Sequence, residues 1–373
     1  MKLIHLSDLH LGKRLREESL LEVQRDILEK IIAIIDDIKP DAVVIAGDIY
    51  DKTVPPAEAV QMFDNFLFNL SKQKLQVFII SGNHDSAERV AFGGRLMDRS
   101  GIHLSPVYNG NVQPISLEDE YGVVDVYLLP FLKPLHIRQI FPDEPAETYT
   151  DALRTAISHI PIDPTHRNVL AAHQFVTGAA LSESEELTVG GLDNVDADVF
   201  ESFDYVALGH IHKPQSIGRE TIRYCGTPLK YSFSEKDQQK SVTCVELLKK
   251  GCVRINTIPL TPQYDLQELR GRFEELCGGK NENYLRIVLT DEEDVPNAMS
   301  RLRDFYPRLL QIGYDNTRTN SAWRIGSIEQ QECKTPLELF EALFEQQNGH
   351  PMSDEQREFS EELFRKIQEG EQS

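Results

Sequence analysis

Hydrophobic and polar positions alternate with two different periods along the first third of the chain. Apolar residues recur every three or four positions across residues 20–38, which predicts an amphipathic helix that ends before Pro40. The same spacing across residues 56–70 predicts a second helix that starts with a proline. Shorter apolar runs predict strands at residues 2–7, 41–46 and 75–81. This β-α-β-α-β order predicts a parallel sheet with right-handed crossovers.

Beyond residue 100 the predicted strands lie closer together in the sequence. They occupy residues 123–129, 168–172, 205–208, 241–247 and 253–258. The short connection between the last two predicts that they pair antiparallel. The pattern therefore favours an α/β core that is built from two packed mixed sheets.

A small α/β module follows the proline-containing segment at residues 259–262, which we interpret as a linker. Its predicted elements are helices at residues 266–276 and 295–306 and strands at residues 284–289 and 309–314. The alternation of helix and strand predicts that these elements share one sheet.

The chain becomes helical and charged from Pro336 to its end. Two apolar stripes, separated by a break at residues 349–351, predict a pair of helices that dock a partner. Together with the linker, this pattern predicts three domains. Their limits are residues 1–262, 263–332 and 333–373.

Composition narrows the cellular setting. The longest apolar runs of this chain of 373 residues are too short to span a bilayer, so no transmembrane helix is predicted. The N-terminus lacks the apolar stretch of a signal peptide. The five cysteines are odd in number and form no C-x-x-C pair, which predicts reduced thiols in a cytoplasmic protein.

Polar residues of metal-binding type follow several of the predicted strands, and ligands collect at such strand ends in open α/β sheets. The seven candidate metal ligands are Asp8, His10, Asp48, Asn83, His173, His210 and His212. In an extended segment, residues i and i+2 point to the same side, so Asp8 and His10 could bind one ion. Imidazole and oxygen ligands without thiolate suit Mn²⁺ or Fe²⁺ better than a structural zinc site.

The candidate ligands divide into two sets that share Asp48. One set is Asp8, His10, Asp48 and His212, and the other is Asp48, Asn83, His173 and His210. Two ions roughly 3.5–4 Å apart can hold a phosphate between them and lower the pKa of bound water. The ordered set of five motifs therefore predicts a two-metal phosphodiesterase.

His84 is the predicted catalytic residue, because it stands beside Asn83 and is left free to face the substrate. It would contact the phosphate and protonate the leaving oxygen. Asp51 or Asp85 could orient His84 through a hydrogen bond, and each could equally be an ordinary turn carboxylate. We expect the acidic run at residues 183–186 to be a solvated surface loop rather than a mobile loop beside the site.

The five motifs resemble those of the calcineurin-like metallophosphoesterase superfamily and, within it, the SbcD family of bacterial nuclease subunits. The segments that carry the resemblance are residues 6–12, 46–51, 81–85, 208–212 and 224–229. The resemblance is strong over residues 1–260 and rests on layout alone beyond them. It implies a four-layer αββα core and a manganese-dependent nuclease that acts in DNA repair, recombination and replication. The implied activities are a 3′→5′ exonuclease on duplex DNA and an endonuclease on single strands and hairpins.

The same resemblance implies partners. The C-terminal helices would dock an ATPase of the SbcC type with a long coiled coil, and the preceding module would cap the DNA. A homodimer within a heterotetramer is also implied, through the helices that follow Pro56 and Ser86. Relatives often have histidine where this chain has Asp51, so the role of that histidine is not carried over.

Two other functions compete with the nuclease. One is a stand-alone phosphodiesterase or phosphatase on small esters, although Asp51-Lys52-Thr53 departs from the Asp-Arg-Gly of Ser/Thr phosphatases. The other is a scaffold with a relic site, against which the intact ligand set argues.

The formal net charge of −21 argues by itself against nucleic-acid binding. Two divalent ions would make the site locally positive. Basic residues near the motifs could extend this local charge, namely Lys13, Arg14, Arg16, Lys52 and Arg89. We therefore expect the isolated chain to bind DNA weakly and with strong salt dependence.

Overall fold

The structure is a computed structural model, and it describes residues 1–185 and 193–316 together with isolated positions between residues 337 and 363. The chain divides into two compact units. The first comprises Met1–Leu289 and Val295–Gly313 and contains both large sheets. The second comprises Thr290–Asp294 and the described residues from Tyr314 onward.

The described part of the chain contains the following strands and helices. The strands are β1 (Lys2–Leu6), β2 (Arg14–Leu15), β3 (Glu18–Ser19), β4 (Ala42–Ala46), β5 (Gln76–Ile80), β6 (Ile102–Leu104), β7 (Ile115–Asp119), β8 (Gly122–Leu128), β9 (Arg167–His173), β10 (Phe175–Val176), β11 (Asn194–Val195), β12 (Tyr205–Gly209), β13 (Gln215–Ile217), β14 (Arg219–Tyr224), β15 (Ser241–Leu247), β16 (Val253–Pro259), β17 (Leu266–Gly271), β18 (Tyr284–Leu289) and β19 (Leu309–Tyr314). The α-helices are α1 (Leu21–Ile38), α2 (Ala57–Lys72), α3 (Ala87–Val90), α4 (Gly94–Met97), α5 (Pro134–Ile140), α6 (Tyr149–Ser158), α7 (Phe273–Leu276) and α8 (Ala298–Arg303). Short 3-10 turns occupy Asp98–Ser100, Ala197–Phe200 and Phe233–Glu235.

The first large sheet has the strand order β16-β15-β1-β4-β5-β6. Strands β1, β4, β5 and β6 run parallel, whereas β15 pairs antiparallel with both β1 and β16. The parallel strands are those that the hydrophobic runs of the first third predict, and the antiparallel pairing of the last two predicted core strands is confirmed. Helices α1 and α2 provide the crossovers between the parallel strands.

The second large sheet has the order β13-β14-β12-β9-β8-β7. Its four inner strands run parallel, and the edge strands β13 and β7 pair antiparallel with their neighbours. The predicted α/β fold with two mixed sheets is therefore confirmed.

Three clusters of buried side chains show where the core lies. Ile27 and Phe63 bring α1 and α2 onto one face of the first sheet. Leu153 brings α6 onto the second sheet. Phe78 and Val169 belong to a third cluster, which side chains of both sheets form between them. This arrangement is consistent with the predicted order of helix, sheet, sheet and helix.

Helix α1 shows how local sequence sets an element. Its buried residues recur at helical spacing, as the pattern predicts. The helix ends at Lys39, which has a left-handed backbone (φ 50°) and donates its N–H to the carbonyl of Ile35. Pro40 then prevents the helix from continuing. None of the described helices is long and apolar enough to cross a membrane.

The predicted helix at residues 266–276 is wrong. Leu266–Gly271 forms a strand that pairs in parallel with Tyr284–Leu289, and only Phe273–Leu276 is helical. Pairing with a buried neighbouring strand outweighs the weak helical preference of this short segment. The second predicted helix of the module shortens to Ala298–Arg303, and the two predicted strands match β18 and β19. Most of the predicted C-terminal helix pair lies outside the described residues.

Replacing Leu170 with alanine tests the core packing of the second sheet. Leu170 is fully buried in β9, so Leu170→Ala should lower the free energy of unfolding by about 2–5 kcal/mol. Leu135 on α5 is 52% exposed, so Leu135→Ala should change the free energy of unfolding by about 0.5 kcal/mol or less. Urea denaturation of both variants measures the difference. Equal losses would contradict the packing described here.

Candidate metal centre

All five sequence motifs lie at one edge of the two sheets. Asp8, Asp48 and Asn83 follow the parallel strands β1, β4 and β5 of the first sheet. His173 ends β9, and His210 follows β12, in the second sheet. Because the carboxyl ends of parallel strands share an edge, the topology brings these side chains together as the sequence predicts.

The backbone at the candidate ligands differs from the extended segment that the i, i+2 spacing suggests. Strand β1 ends at Leu6, and Asp8 and His10 have left-handed backbones with φ values of 51° and 43°. Asp48 and His210 also have positive φ values, 49° and 99°. Non-glycine residues rarely adopt this conformation, and such strain concentrates at functional sites. The expected extended geometry is therefore wrong, although Asp8 and His10 do come together.

Two glycines allow the strand ends to approach each other. A Cβ atom at Gly82 would overlap the backbone nitrogen and the carboxylate of Asp48. A Cβ atom at Gly209 would overlap the carbonyl oxygen of Ala46, which belongs to the other sheet. Only glycine permits such close approach of backbone and side chain. The glycines before Asn83 and His210 therefore set the spacing of the site.

The first predicted ligand set converges on a small volume. Asp8, His10 and His212 offer ligand atoms that lie within 4.8 Å of one another, and all three side chains are buried. The Nε2 atoms of His10 and His212 are 3.1 Å apart, and His10 Nε2 lies 3.7 Å from Asp48 Oδ2. The structure thus places all four members of the first set around one point.

The second predicted set surrounds Asn83. Its Oδ1 lies 2.9 Å from His173 Nε2 and 2.9 Å from His210 Nδ1. His173 Nε2 is also 3.3 Å from Asp48 Oδ2, and His173 Nδ1 donates to the carbonyl oxygen of Ala46 at 2.8 Å. Asp48 therefore lies between the two sets.

Burial determines the charges in the cluster. It raises the pKa of Asp8 to about 7 and lowers the pKa of His210 to about 4. The pKa values of His10 and His212 fall well below the usual range for the same reason. For His173 burial acts downward, but the Asp48 carboxylate raises the pKa of the imidazole to about 9. Most of the imidazoles are thus neutral and have lone pairs to offer a cation.

These residues fit divalent cations. Two ligand atoms that bind one ion at right angles, each about 2.1 Å from it, lie about 3 Å apart. The closest separations in the cluster, from 2.9 Å for Asn83 with His173 to 3.1 Å for His10 with His212, match this value. Two neutral imidazoles that face each other through Nε2 also leave at least one lone pair without a strong donor. A cation satisfies such a pair.

His84 lies at the open side of the cluster. Its side chain is 16% exposed, and its Nε2 atom is 4.0 Å from Asp48 Oδ2. His84 Nδ1 lies 3.1 Å from the backbone carbonyl of Asp51, which can only accept, so Nδ1 carries the proton. The ring stands edge-on to His10, with ring centroids 4.9 Å apart. His84 Nε2 is therefore free to face a substrate or, with His10 and Asp48, to approach an ion.

Asp51 and Asp85 have different surroundings. The carboxylate of Asp85 accepts hydrogen bonds from the backbone N–H groups of Ile49, Tyr50 and Gly82, at 2.9–3.1 Å. It thereby joins the loop after β4 to the loop after β5. The Asp51 carboxylate accepts from Lys13 Nζ at 2.7 Å and lies 3.8 Å from His10 Nδ1. The hydrogen bond to His84 comes from the Asp51 backbone rather than from either carboxylate.

Sequence reasoning missed the residues behind His212. Ser184 Oγ lies 2.6 Å from His212 Nδ1, and Glu185 accepts from the His212 backbone N–H at 2.8 Å. The expectation of a solvated surface loop is therefore wrong at these two positions. A buried ion pair between Lys240 and Glu235 lies beyond Ser184. The acidic run marks part of this group, whereas Glu235 and Lys240 belong to no recognisable pattern.

Comparison with known proteins agrees with this geometry. The family model of the calcineurin-like phosphoesterases matches residues 1–214, which include all seven candidate ligands. The chain belongs to this family. A second family model, SbcD_C, described as the type 5 capsule protein repressor C-terminal domain, matches residues 262–348. Membership makes the chain a metal-dependent hydrolase of phosphoesters.

Two curated relatives match nearly the whole length of this family member. Both are named as the SbcD subunit of the SbcCD nuclease. The protein from Staphylococcus saprophyticus is 35% identical over 89% of this chain and 89% of its own length. The protein from Staphylococcus epidermidis is 32% identical over 91% of this chain and 92% of its own length. Among solved structures, a dimetal phosphatase from Danio rerio aligns with 70% of this chain and 99% of its own, at 13% identity and a TM-score of 0.40.

Replacing Gly82 with alanine should disrupt the cluster without removing a ligand. The new Cβ atom must displace Asp48, so we expect Gly82→Ala to lower Mn²⁺ affinity at least about tenfold in calorimetric titration. Gly94→Ala is the matched control, because its Cβ atom would meet its nearest neighbour at an ordinary 3.5 Å. Unchanged Mn²⁺ affinity in Gly82→Ala would contradict the close packing of the two loops.

Proposed function

We propose that this phosphoesterase is the nuclease subunit of an SbcC/SbcD-type complex and that its substrate is DNA. The observation that carries the proposal is the convergence of both predicted ligand sets on Asp48. The names of the two curated relatives supply the substrate class. The proposed activities are 3′→5′ exonuclease on duplex DNA and endonuclease on single strands and hairpins, in repair, recombination and replication.

The proposed ligands hold two divalent ions. Asp8, His10, Asp48 and His212 would bind one ion, and Asp48, Asn83, His173 and His210 the other. Oxygen and imidazole ligands without thiolate favour Mn²⁺. When bound, two such ions supply Lewis acidity for the phosphate and lower the pKa of water. The chain's own residues hold the ions in place and exclude bulk water, since both carboxylates in the two sets are buried.

His84 is the proposed catalytic residue. The Asp51 carbonyl fixes its tautomer, and the exposed edge of the ring leaves Nε2 toward the substrate. In this position His84 can contact the scissile phosphate and deliver a proton to the leaving oxygen. Asp51 and Asp85 act on the site through the loops that they hold.

The basic surface beside the site would contact the DNA backbone. A cavity of about 780 Å³ next to Asp51 is lined by Arg14, Arg16 and Lys52, all of which are exposed. Lys13 is less available, because its Nζ atom pairs with the Asp51 carboxylate. Only a few phosphate contacts are then possible on a chain of net charge −21, which predicts weak binding without a partner.

The proposed partners follow from exposed apolar surface and from the family. Phe68 on α2 is 59% exposed, and Phe92 and Leu96 at α3 and α4 are 84% and 78% exposed. Large exposed apolar side chains that lie close in the fold mark interaction surfaces, and we propose a homodimer here. The proposed domain limits are 1–262 for the nuclease, 263–332 for a DNA-contacting cap and 333–373 for helices that dock the coiled-coil ATPase.

The nuclease proposal is tested with purified protein, Mn²⁺ and two substrates, a labelled hairpin DNA duplex and bis-p-nitrophenyl phosphate. Loss of a general acid lowers a rate by about 10²–10⁴-fold, so His84→Ala should cut the hairpin that much more slowly. Its Mn²⁺ stoichiometry should stay that of the wild type, because His84 lies outside both ligand sets. The exposed His159, at the carboxyl end of α6, provides a matched control in His159→Ala.

Two outcomes would overturn this proposal. If the wild type hydrolyses the small ester but leaves DNA intact even with a partner ATPase, the chain is a stand-alone phosphodiesterase. If His84→Ala cuts DNA as fast as the wild type, His84 is not the catalytic residue.

The role of the basic surface is tested through salt dependence. Each lost phosphate contact should reduce the slope of log affinity against log salt concentration by about 0.9 on duplex DNA. We therefore expect Arg16→Ala and Lys52→Ala each to weaken DNA binding and flatten this slope. Lys249→Ala removes an exposed charge elsewhere and should leave both unchanged. Equal slopes in all variants, measured by fluorescence anisotropy, would exclude this surface.

A further inference from the structure

A chain of polar side chains extends behind His212, on the side away from the other candidate ligands. Ser184 Oγ lies 2.6 Å from His212 Nδ1 and also donates to Glu235 Oε1. Glu235 pairs in turn with Lys240, whose Nζ lies 2.6 Å from Glu235 Oε2. The side chains of Lys240 and Glu235 are only 3% and 0% exposed. A buried ion pair of this kind needs a structural or functional reason, since its desolvation is costly.

The hydrogen-bond chemistry fixes the tautomer of His212. A carboxylate only accepts, so the single hydroxyl hydrogen of Ser184 points to Glu235. The Ser184 oxygen is then an acceptor for His212 Nδ1, which must carry the ring proton. This leaves the lone pair on Nε2, the atom that lies 3.1 Å from His10 Nε2 at the centre of the first ligand set. The chain thus presents the metal-binding form of the imidazole.

The same cluster holds the backbone of His212. Glu185 accepts from its N–H at 2.8 Å, and Lys240 Nζ donates to its carbonyl oxygen at 2.9 Å. Every polar group of His212 except Nε2 is therefore fixed by this cluster or its surroundings.

His173 offers a contrast. Its Nδ1 proton is donated to the backbone carbonyl of Ala46, at the end of a core strand. His212 depends instead on the side chain of Ser184, in a connecting segment. That segment is held by Ser182, which donates to Glu185 at 2.8 Å, and by the bond from Ser184 to Glu235.

We propose that Ser184 is a positioning residue for the metal centre, and that Glu235 and Lys240 orient its hydroxyl. The inference rests on the proposed role of His212 as a metal ligand. Docking of residues 182–185 onto Glu235 sets the affinity of the first ligand set for a divalent cation. The second ligand set, around Asn83, does not depend on this segment.

The test compares Ser184→Ala with the wild type, with Ser184→Thr as the conservative variant and with Ser216→Ala, an exposed serine on β13, as a matched control. Calorimetric titration with Mn²⁺ should show that Ser184→Ala weakens one of two binding events about 10–100-fold and spares the other. Ser184→Thr keeps the hydroxyl and should restore the affinity. Nitrogen-15 NMR of metal-free, histidine-labelled protein should show His212 protonated on Nδ1 in the wild type and as a tautomer mixture in Ser184→Ala.

A second variant guards against indirect effects. The double change Glu235→Gln with Lys240→Met removes the ion pair without leaving a buried charge, and it should weaken the same binding event. Wild-type affinity and tautomer in Ser184→Ala would overturn the inference, as would equal weakening of both binding events. Protein that binds two Mn²⁺ ions with the expected differences but cuts no DNA would refute the nuclease proposal alone.

Discussion

The structure depends on how the buried carboxylate of Asp48 is satisfied. Asp48 lies 3.7 Å from His10 and 3.3 Å from His173, and it accepts a hydrogen bond from the backbone of His84. A buried carboxylate is stable only with cations or donors around it. The strained backbone of Asp48, the close approach of Gly82 and the surrounding imidazoles all serve this requirement. Two divalent ions complete it and supply the chemistry of a phosphoesterase.

The two sheets contribute unequal parts to the site. The first sheet supplies both buried carboxylates and Asn83 from loops that Asp85 joins through three backbone hydrogen bonds. The second sheet supplies imidazoles alone, and Gly209 lets its strand end meet the first sheet at Ala46. Precise positioning therefore comes from the packing of one sheet against the other. This arrangement explains why a substitution far from any ligand in sequence can affect metal binding.

The sequence predicted the strands, the helices of the core and the place of all seven candidate ligands, because period and motif are local properties. It did not predict the left-handed backbones of Asp8 and His10, which follow from contacts with the loop after β4. The helix expected at residues 266–276 failed because pairing with β18 is a long-range contact. Ser184, Glu235 and Lys240 escaped notice for the same reason: they come together only in the folded chain.

The central claim is that both ligand sets bind a divalent ion and share Asp48. Crystals of the protein grown with Mn²⁺ and measured at the manganese absorption edge test it most directly. The account predicts two anomalous peaks, roughly 3.5–4 Å apart, with Asp48 in contact with both. A single peak, or two peaks of which Asp48 touches only one, would contradict it.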